Sequence, residues 1–370
     1  MSVINARVGS DKYPVIVSDT AFSDLIDFCS GYNSENIVCI VDDCFRTDSL
    51  IDFPQLKKFL SDYPSFFLPG GIESKGIDAY TRAVSWLMSL NFSKDGLIVA
   101  IGGGVIGDLS AFVASTFLRG AGLVLVPTTT TSMIDSAIGG KTGINFNDQV
   151  NAIGTYFNPK AVFMDVRFLL TLNSRDYCAG LCEAIKMSIT SDSYFANKLL
   201  DDSRSLSHEV RDPSALLDLV LWSVKTKLLH VSDDPNEKSI RLTLNYGHTF
   251  GQSIETFYGL YQDFYRHGEA VSLGMMCAGN AISRINDDTY SNDLLLFTKN
   301  ILTSFSLPIT LRNNSRVKIP SLDVLVDNLI NDKKRTSEGN RFVLVPELGT
   351  SVIQYIDDKD LLKSSYESIF

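Results

Sequence analysis

Three residues in the second half of the chain are of the types that hold a catalytic metal. Glu183 lies in Gly180-Leu181-Cys182-Glu183-Ala184-Ile185-Lys186, His248 lies in Leu244-Asn245-Tyr246-Gly247-His248-Thr249-Phe250-Gly251, and His267 opens His267-Gly268-Glu269-Ala270-Val271. One carboxylate and two imidazoles leave a coordination position open, which suits a zinc that also takes a substrate hydroxyl. The chain has only 4 histidines, so two that adjoin glycine and open helix-like stretches carry weight. Taken singly, a histidine at a helix start or a glutamate on a solvated face is commonplace. Spacing alone leaves a metal site and separate structural roles both open.

A second chemical feature lies earlier. Gly102-Gly103-Gly104-Val105-Ile106-Gly107-Asp108 follows an apolar strand pattern at 97–101 and precedes a helix pattern at 109–118. The glycines fit G-x-G-x-x-G in the strand-to-helix context that this motif needs. Glycine lets a backbone approach a pyrophosphate, and the helix N-terminus that follows favours its charge. A tight strand–helix turn with no ligand is the plain alternative. The next strand ends in Pro127-Thr128-Thr129, with no acid to hold a ribose. Asp42, which ends the strand pattern before it, is the better candidate, so the cofactor would cross the strand ends differently from a standard dinucleotide fold.

These residues need elements to position them. Residues 36–42 (NIVCIVD), 97–101 (LIVAI) and 123–126 (LVLV) are short apolar runs closed by turn residues, the pattern of buried parallel strands. A helical pattern at 77–90 lies among them, and such alternation predicts an α/β sheet with helices on both faces. From about residue 174 the pattern turns to amphipathic stretches at 181–198, 213–231, 248–258, 269–285 and 292–305. A hairpin is expected from 341–346 and 352–356. The expected architecture is an α/β N-terminal nucleotide-binding domain (1–175) and a mainly α-helical C-terminal metal-binding domain (176–370).

With 370 residues, 45% of them hydrophobic and 21% charged, the chain is long enough for two cores and too apolar for disorder. No apolar run reaches the roughly 18 residues that span a bilayer, so no membrane role is expected. The start resembles neither a signal nor a transit peptide, which makes the cytoplasm the expected location. A net charge of −10 offers no basic footprint for nucleic acid. The 6 cysteines show no CxxC and read as reduced, mostly core thiols.

Taken together, the segments GGGVIGDLSAFVASTFLRG (102–120), VPTTTTSMIDSAIGGKTGIN (126–145), GLCEAIK (180–186), RLTLNYGHTFGQSIE (241–255) and HGEAV (267–271) resemble the 3-dehydroquinate synthase family of sugar-phosphate cyclases. The resemblance runs from PGGIESK (69–75) to NDKK (331–334). It implies a lyase using NAD and zinc or cobalt. Such an enzyme converts 3-deoxy-D-arabino-heptulosonate 7-phosphate to 3-dehydroquinate and phosphate, by oxidation, phosphate elimination, reduction, ring opening and aldol closure. Glu183, His248 and His267 would hold the metal. Asp42, Lys75, Gly103, Gly104, Asp108, Thr128, Thr129, Phe168 and Thr171 match positions that bind NAD. Lys141, Asn151, Asn245 and one of Lys333 and Lys334 would contact phosphate, as would Arg119 from a neighbouring subunit, implying a homodimer. Lys227 and Arg241 match positions that grip the substrate carboxylate, where a bidentate guanidinium fits well. Asp135 and Lys186 match positions on substrate hydroxyls. Outside that context, Lys227 on a solvated helix face and Asp135 capping a turn are the plainer readings.

The chain also departs from the family pattern, which usually has Glu where Ile72 stands, Lys where Val150 stands and His where Gln252 stands. Ile72 loses a ribose acceptor and Val150 a cation beside Asn151. Gln252, expected among the catalytic residues, can donate a hydrogen bond but cannot shuttle a proton near neutral pH. These losses keep three alternatives open: another sugar-phosphate cyclase acting on sedoheptulose 7-phosphate or an amino analogue, a metal-dependent polyol dehydrogenase, and a non-catalytic paralogue.

Overall fold

A computed structural model describes residues 2–46, 53–147, 149–258, 264–312, 318–330 and 340–370. Lys333 and Lys334 lie outside these. The chain forms two compact units, Met1–Leu172 with Leu216–Asn236, and Asn173–Ala215 with Glu237–Phe370. One division in sequence lies between Leu172 and Asn173, and Leu216–Asn236 groups with the first unit.

The first unit is built on a seven-stranded sheet. Its strands are β1 (Ser2–Val8), β2 (Asp11–Ser18), β3 (Ile37–Asp42), β4 (Ser65–Leu68), β5 (Leu97–Gly102), β6 (Gly122–Pro127) and, after the β7 (Lys141–Phe146) and β8 (Gln149–Tyr156) hairpin, β9 (Ala161–Asp165). The order across the sheet is β1-β2-β9-β6-β5-β3-β4. β5 and β9 are buried along their whole length, β3 and β6 at every residue but one. Such strands can only be continuous apolar runs. The β1–β2 pair is antiparallel and the other sheet pairings are parallel. The helices of this unit are α1 (Ala21–Cys29), α2 (Pro54–Asp62), α3 (Ile77–Ser89), α4 (Gly104–Thr116) and most of α7 (Pro213–Ser232). α4 begins inside the glycine run, five residues before the predicted start at 109, because Gly103 already serves as its N-cap.

β3 pairs with β4 on one side and β5 on the other. That reversal of direction opens a crevice beyond the carboxyl ends of the strands, where α/β sheets bind ligands. Val41 is level with Ile101, and Gly102 with Pro127. Asp42, the glycine turn and Thr128 therefore emerge at one edge of the sheet.

The second unit is mainly helical, with α5 (Ser174–Ser191), α6 (Ser193–Asp201), α8 (His248–Tyr258), α9 (His267–Asn286), α10 (Thr289–Ser304), α11 (Leu322–Ile330) and α12 (Lys359–Tyr366). The stretch 181–198, expected as one helix, is two. Asp192 breaks it with φ −152° and its side chain accepts a hydrogen bond from Phe195 N, capping α6. The expected hairpin is present as β10 (Asn340–Glu347) and β11 (Thr350–Ile356). Among the described residues, no helix is long and apolar enough to cross a membrane. All six cysteines are free, and all but Cys44 are buried.

Candidate active site

In the second unit, glycines set the geometry. A Cβ on Gly274 of α9 would lie 1.9 Å from the Gly247 carbonyl oxygen, and one on Gly251 of α8 would lie 2.8 Å from that of Ala270. Gly247 itself has φ +77°, a conformation that glycine adopts without strain. The helices α8 and α9 thus cross backbone to backbone, so their first residues, His248 and His267, stand with ring centroids 5.0 Å apart. A Cβ on Gly268 would lie 1.9 Å from Ala179 O of α5, and this second close approach brings Glu183 to the same point.

The three side chains converge. Glu183 Oε1 is 3.7 Å from His267 Nε2 and 3.9 Å from His248 Nε2. One donor atom from each residue lies within 4.8 Å of the others. Tetrahedral zinc separates its donors by roughly 3.3 Å, a small contraction from this spacing. Glu183 is buried and, among the described residues, its Oε1 has no hydrogen-bond partner, a costly state for a carboxylate oxygen unless a cation meets it. Lys186, one helical turn on, donates to Glu183 Oε2 and so holds the other oxygen towards the histidines. Desolvation in the cluster opposes a charge on His267, but Glu255 and Glu183 outweigh it and push its pKa up to about 9. The cluster therefore attracts positive charge. Three ligands, an orphaned oxygen and that field fit a divalent metal with one position open.

The other expected residues of this unit are placed as follows. Arg241 is almost wholly buried, and Asn245 Nδ2 donates to Glu237 Oε1 at 2.6 Å. Gln252 lies one turn after His248 on α8 and is half-buried. Residues that sequence reasoning missed form a brace. Glu269 accepts from Arg175 Nε at 2.9 Å and Nη2 at 2.7 Å, from Arg312, and from the backbone N of Arg266 at 2.8 Å. Burial raises a carboxyl pKa, but these donors hold Glu269 below its ordinary value. The brace ties the first turn of α5 to that of α9.

The first unit holds the nucleotide-type residues. Gly103 caps α4 and Gly104 is its first residue, so the free N–H groups of a 13-residue helix open at the end of β5. A Cβ on Gly103 would lie 2.9 Å from Thr129 Cγ2 and one on Gly104 3.0 Å from Ser136 Oγ, whereas Gly107 has open space beside it. The cleft is lined by Gly102, Gly104, Gly107, Asp108, Ser136 and Lys141. Lys75 Nζ donates to Asp108 Oδ2 at 2.5 Å, yet burial keeps the Asp108 carboxyl above its ordinary pKa. Thr128 N donates to Gly102 O, and Thr129 N to Ser132 Oγ, which fixes the turn after β6. Asp42 Oδ1 accepts from Cys44 N, and a Cβ on Gly70 would lie 3.0 Å from its Oδ2. This glycine-lined helix terminus, with an acid at the neighbouring strand end, fits a dinucleotide.

Phe168 is an exception within that set. Its ring is wholly buried, stacked on Phe53 at 4.5 Å between centroids, so its side chain faces the core and not a ligand. Thr171 Oγ1 donates to Phe168 O. Asp135 lies in a π-helical turn, Ser132–Ser136, and is bonded to Lys227 of α7. Both residues belong to the first unit, and Lys227 is buried rather than on a solvated helix face. Asn151 (φ +51°) and Arg119 (φ +66°) are exposed with left-handed backbones, and Leu118 (φ +48°) precedes Arg119. Two adjacent non-glycine residues held this way mark a strained, specified loop.

The sequence pattern of the 3-dehydroquinate synthase N-terminal domain matches residues 65–179, and that of its C-terminal domain residues 180–335. A 3-dehydroquinate synthase from Streptococcus equi is 33% identical over 338 residues, covering 90% of this chain and 89% of the relative. The chain belongs to the 3-dehydroquinate synthase family. Two solved sugar-phosphate cyclases share its fold. One is a 2-deoxy-scyllo-inosose synthase complexed with carbaglucose-6-phosphate, NAD+ and Co2+ (TM-score 0.83, 24% identity, 100% of both chains). The other is a 2-epi-5-epi-valiolone synthase from Streptomyces hygroscopicus with NAD+ and Zn2+ bound (TM-score 0.81, 22% identity, 97% of both chains). The two features that fit a metal and a dinucleotide are thus those expected of a 3-dehydroquinate synthase family member.

Proposed function

We propose that this protein is a 3-dehydroquinate synthase of the shikimate pathway, converting 3-deoxy-D-arabino-heptulosonate 7-phosphate to 3-dehydroquinate and inorganic phosphate. The observation that carries it is the retention of Arg241 and Lys227, both buried, where the family grips a substrate carboxylate. A guanidinium and an ammonium at these positions suit a substrate carboxylate, which a ketose phosphate lacking one does not offer. Glu183, His248 and His267 would hold the metal, which would supply Lewis acidity at a substrate hydroxyl, and NAD at the glycine turn would supply reversible hydride transfer. The chain's own residues do the rest. Lys186 orients Glu183, and Asp135, held by Lys227, accepts from a substrate hydroxyl. Lys141, Asn151 and Asn245 bind the phosphate and stabilise it as it leaves, with one of Lys333 and Lys334.

In this reading Arg119 adds a phosphate contact from a second subunit of a homodimer. Its exposure on a strained loop supports that, as does β8, which is exposed along its whole length and carries no charged residue. An uncharged strand edge is open to pairing with another copy. Six free cysteines, all but Cys44 buried, support a reducing compartment such as the cytoplasm.

Phosphate release from the heptulosonate phosphate, with zinc and catalytic NAD, tests the proposal. No turnover under those conditions sinks it. The departures Ile72, Val150 and Gln252 favour one second reading, a cyclase of specialised metabolism acting on sedoheptulose 7-phosphate. Turnover of that substrate alone would establish it.

A further inference from the structure

We infer that Glu255 is a positioning residue of the metal site. It orients His267 and makes its Nε2 the metal-binding nitrogen. His267 has two ring nitrogens with different neighbours: Nε2 stands 3.7 Å from the orphaned Glu183 Oε1, and Nδ1 stands 3.1 Å from Glu255 Oε1. A neutral imidazole carries one proton. A carboxylate at hydrogen-bond distance from Nδ1 keeps that proton there, leaving the lone pair on Nε2 directed at the cluster. The same partner raises the basicity of the ring and so its strength as a ligand.

His248 solves the same problem differently, with Nδ1 3.2 Å from the Tyr246 carbonyl oxygen. That partner is backbone and comes with the turn before α8. His267, the most exposed of the three ligands, uses a side chain from another helix. Glu255 sits seven residues after His248 on α8, so two turns of one helix face carry a ligand and the orienter of the other ligand. The close crossing of α8 and α9 at Gly247, Gly251 and Gly274 makes that reach possible.

The inference rests on the metal site and is independent of which sugar phosphate the enzyme uses. It is tested by zinc affinity of the full-length protein, measured by competition with a chromophoric chelator and without substrate. Glu255→Ala should bind zinc 10- to 100-fold more weakly, the usual effect of losing a carboxylate behind a metal-bound histidine. Glu255→Gln, which keeps an acceptor oxygen, should recover part of that loss. With cobalt, the visible absorption of Glu255→Ala should change in position or intensity, a readout that a loss of stability alone does not move. Zinc binding by Glu255→Ala within twofold of the parent, with an unchanged cobalt spectrum, overturns the inference. If Glu255→Ala does not fold, Glu255→Gln with parental affinity and spectrum overturns it equally. His267→Ala separates the two levels: undiminished zinc affinity there removes the metal site itself, whereas a loss there with none at Glu255 removes only this role.

Discussion

At the scale of residues, the candidate lysines of each unit already have carboxylate partners. Lys186 is held by Glu183, Lys227 by Asp135 and Lys75 by Asp108. A ligand that reaches any one of these pairs exchanges one ionic partner for another, which favours specificity over raw affinity. Arg241 is the residue that separates the two substrate readings. Arg241→Lys keeps the charge but loses the planar fork, so kcat/KM on the heptulosonate phosphate should fall on the order of tenfold, about 1.4 kcal/mol. Turnover of a ketose phosphate lacking the carboxylate should not follow it, and parallel losses on both substrates would contradict the assignment. Gln252 supplies a second test. Gln252→His introduces a group with an ordinary pKa of about 6.5 on the metal-bearing face of α8, so the pH profile of kcat should gain a limb near there. An unchanged profile would show that position 252 takes no part in proton transfer.

At the scale of elements, two helix contacts decide the metal site, and both depend on missing side chains. Gly274→Ala places a methyl group 1.9 Å from a backbone oxygen. Overpacking of this kind typically costs about 1–3 kcal/mol, and here it also pushes α8 away from α9. Chemical denaturation should show that loss, and zinc affinity should fall with it. The Glu269 brace acts with a definite sign in pH. Its folded pKa is lowered, so its stabilisation is present above the unfolded value, about 4.3, and is lost as pH falls through the folded value. Glu269→Gln should therefore be less stable than the parent at pH 7, with the two melting curves converging below about pH 4. A gap that stays constant into acid would mean that the charge of Glu269 contributes nothing.

At the scale of the whole molecule, the residues proposed for the cofactor and the metal fall in different units: the glycine turn with Lys75 and Asp108 in one, Glu183, His248 and His267 in the other. Each should respond to its own ligand. Zinc or NAD at 100 times its dissociation constant should each raise unfolding stability by about 2.7 kcal/mol. Chelation should abolish turnover yet leave NAD affinity within about threefold, as measured by calorimetry. Loss of NAD binding on chelation would show that the two sites are energetically one.

Much of this protein was legible in its sequence because some features are local. Buried parallel strands must be continuous apolar runs, so β3, β5 and β6 announce themselves, and the glycine turn reads directly as a helix N-terminus after a strand. The scarcity of histidine and the adjoining glycines singled out His248 and His267, and the family resemblance made them, with Glu183, the expected metal ligands. The β1–β2 hairpin was also within reach, since Gly9-Ser10 between two alternating runs is a hairpin signal. Other features exist only once helices meet. Glu255 and Glu269 look like ordinary surface acids along the chain, and Lys227 like a solvated lysine. Their roles come from partners 12, 94 and 92 residues away for His267, Arg175 and Asp135. The sequence by itself determined which chemical groups were present and which local elements carry them. Tertiary packing alone decided that α8 and α9 cross at glycine, that Leu216–Asn236 joins the first unit, and which carboxylate holds which cation. The physical reason is range: apolar periodicity and turn preference act over a few residues, whereas ion pairs and backbone close approach depend on distance in space.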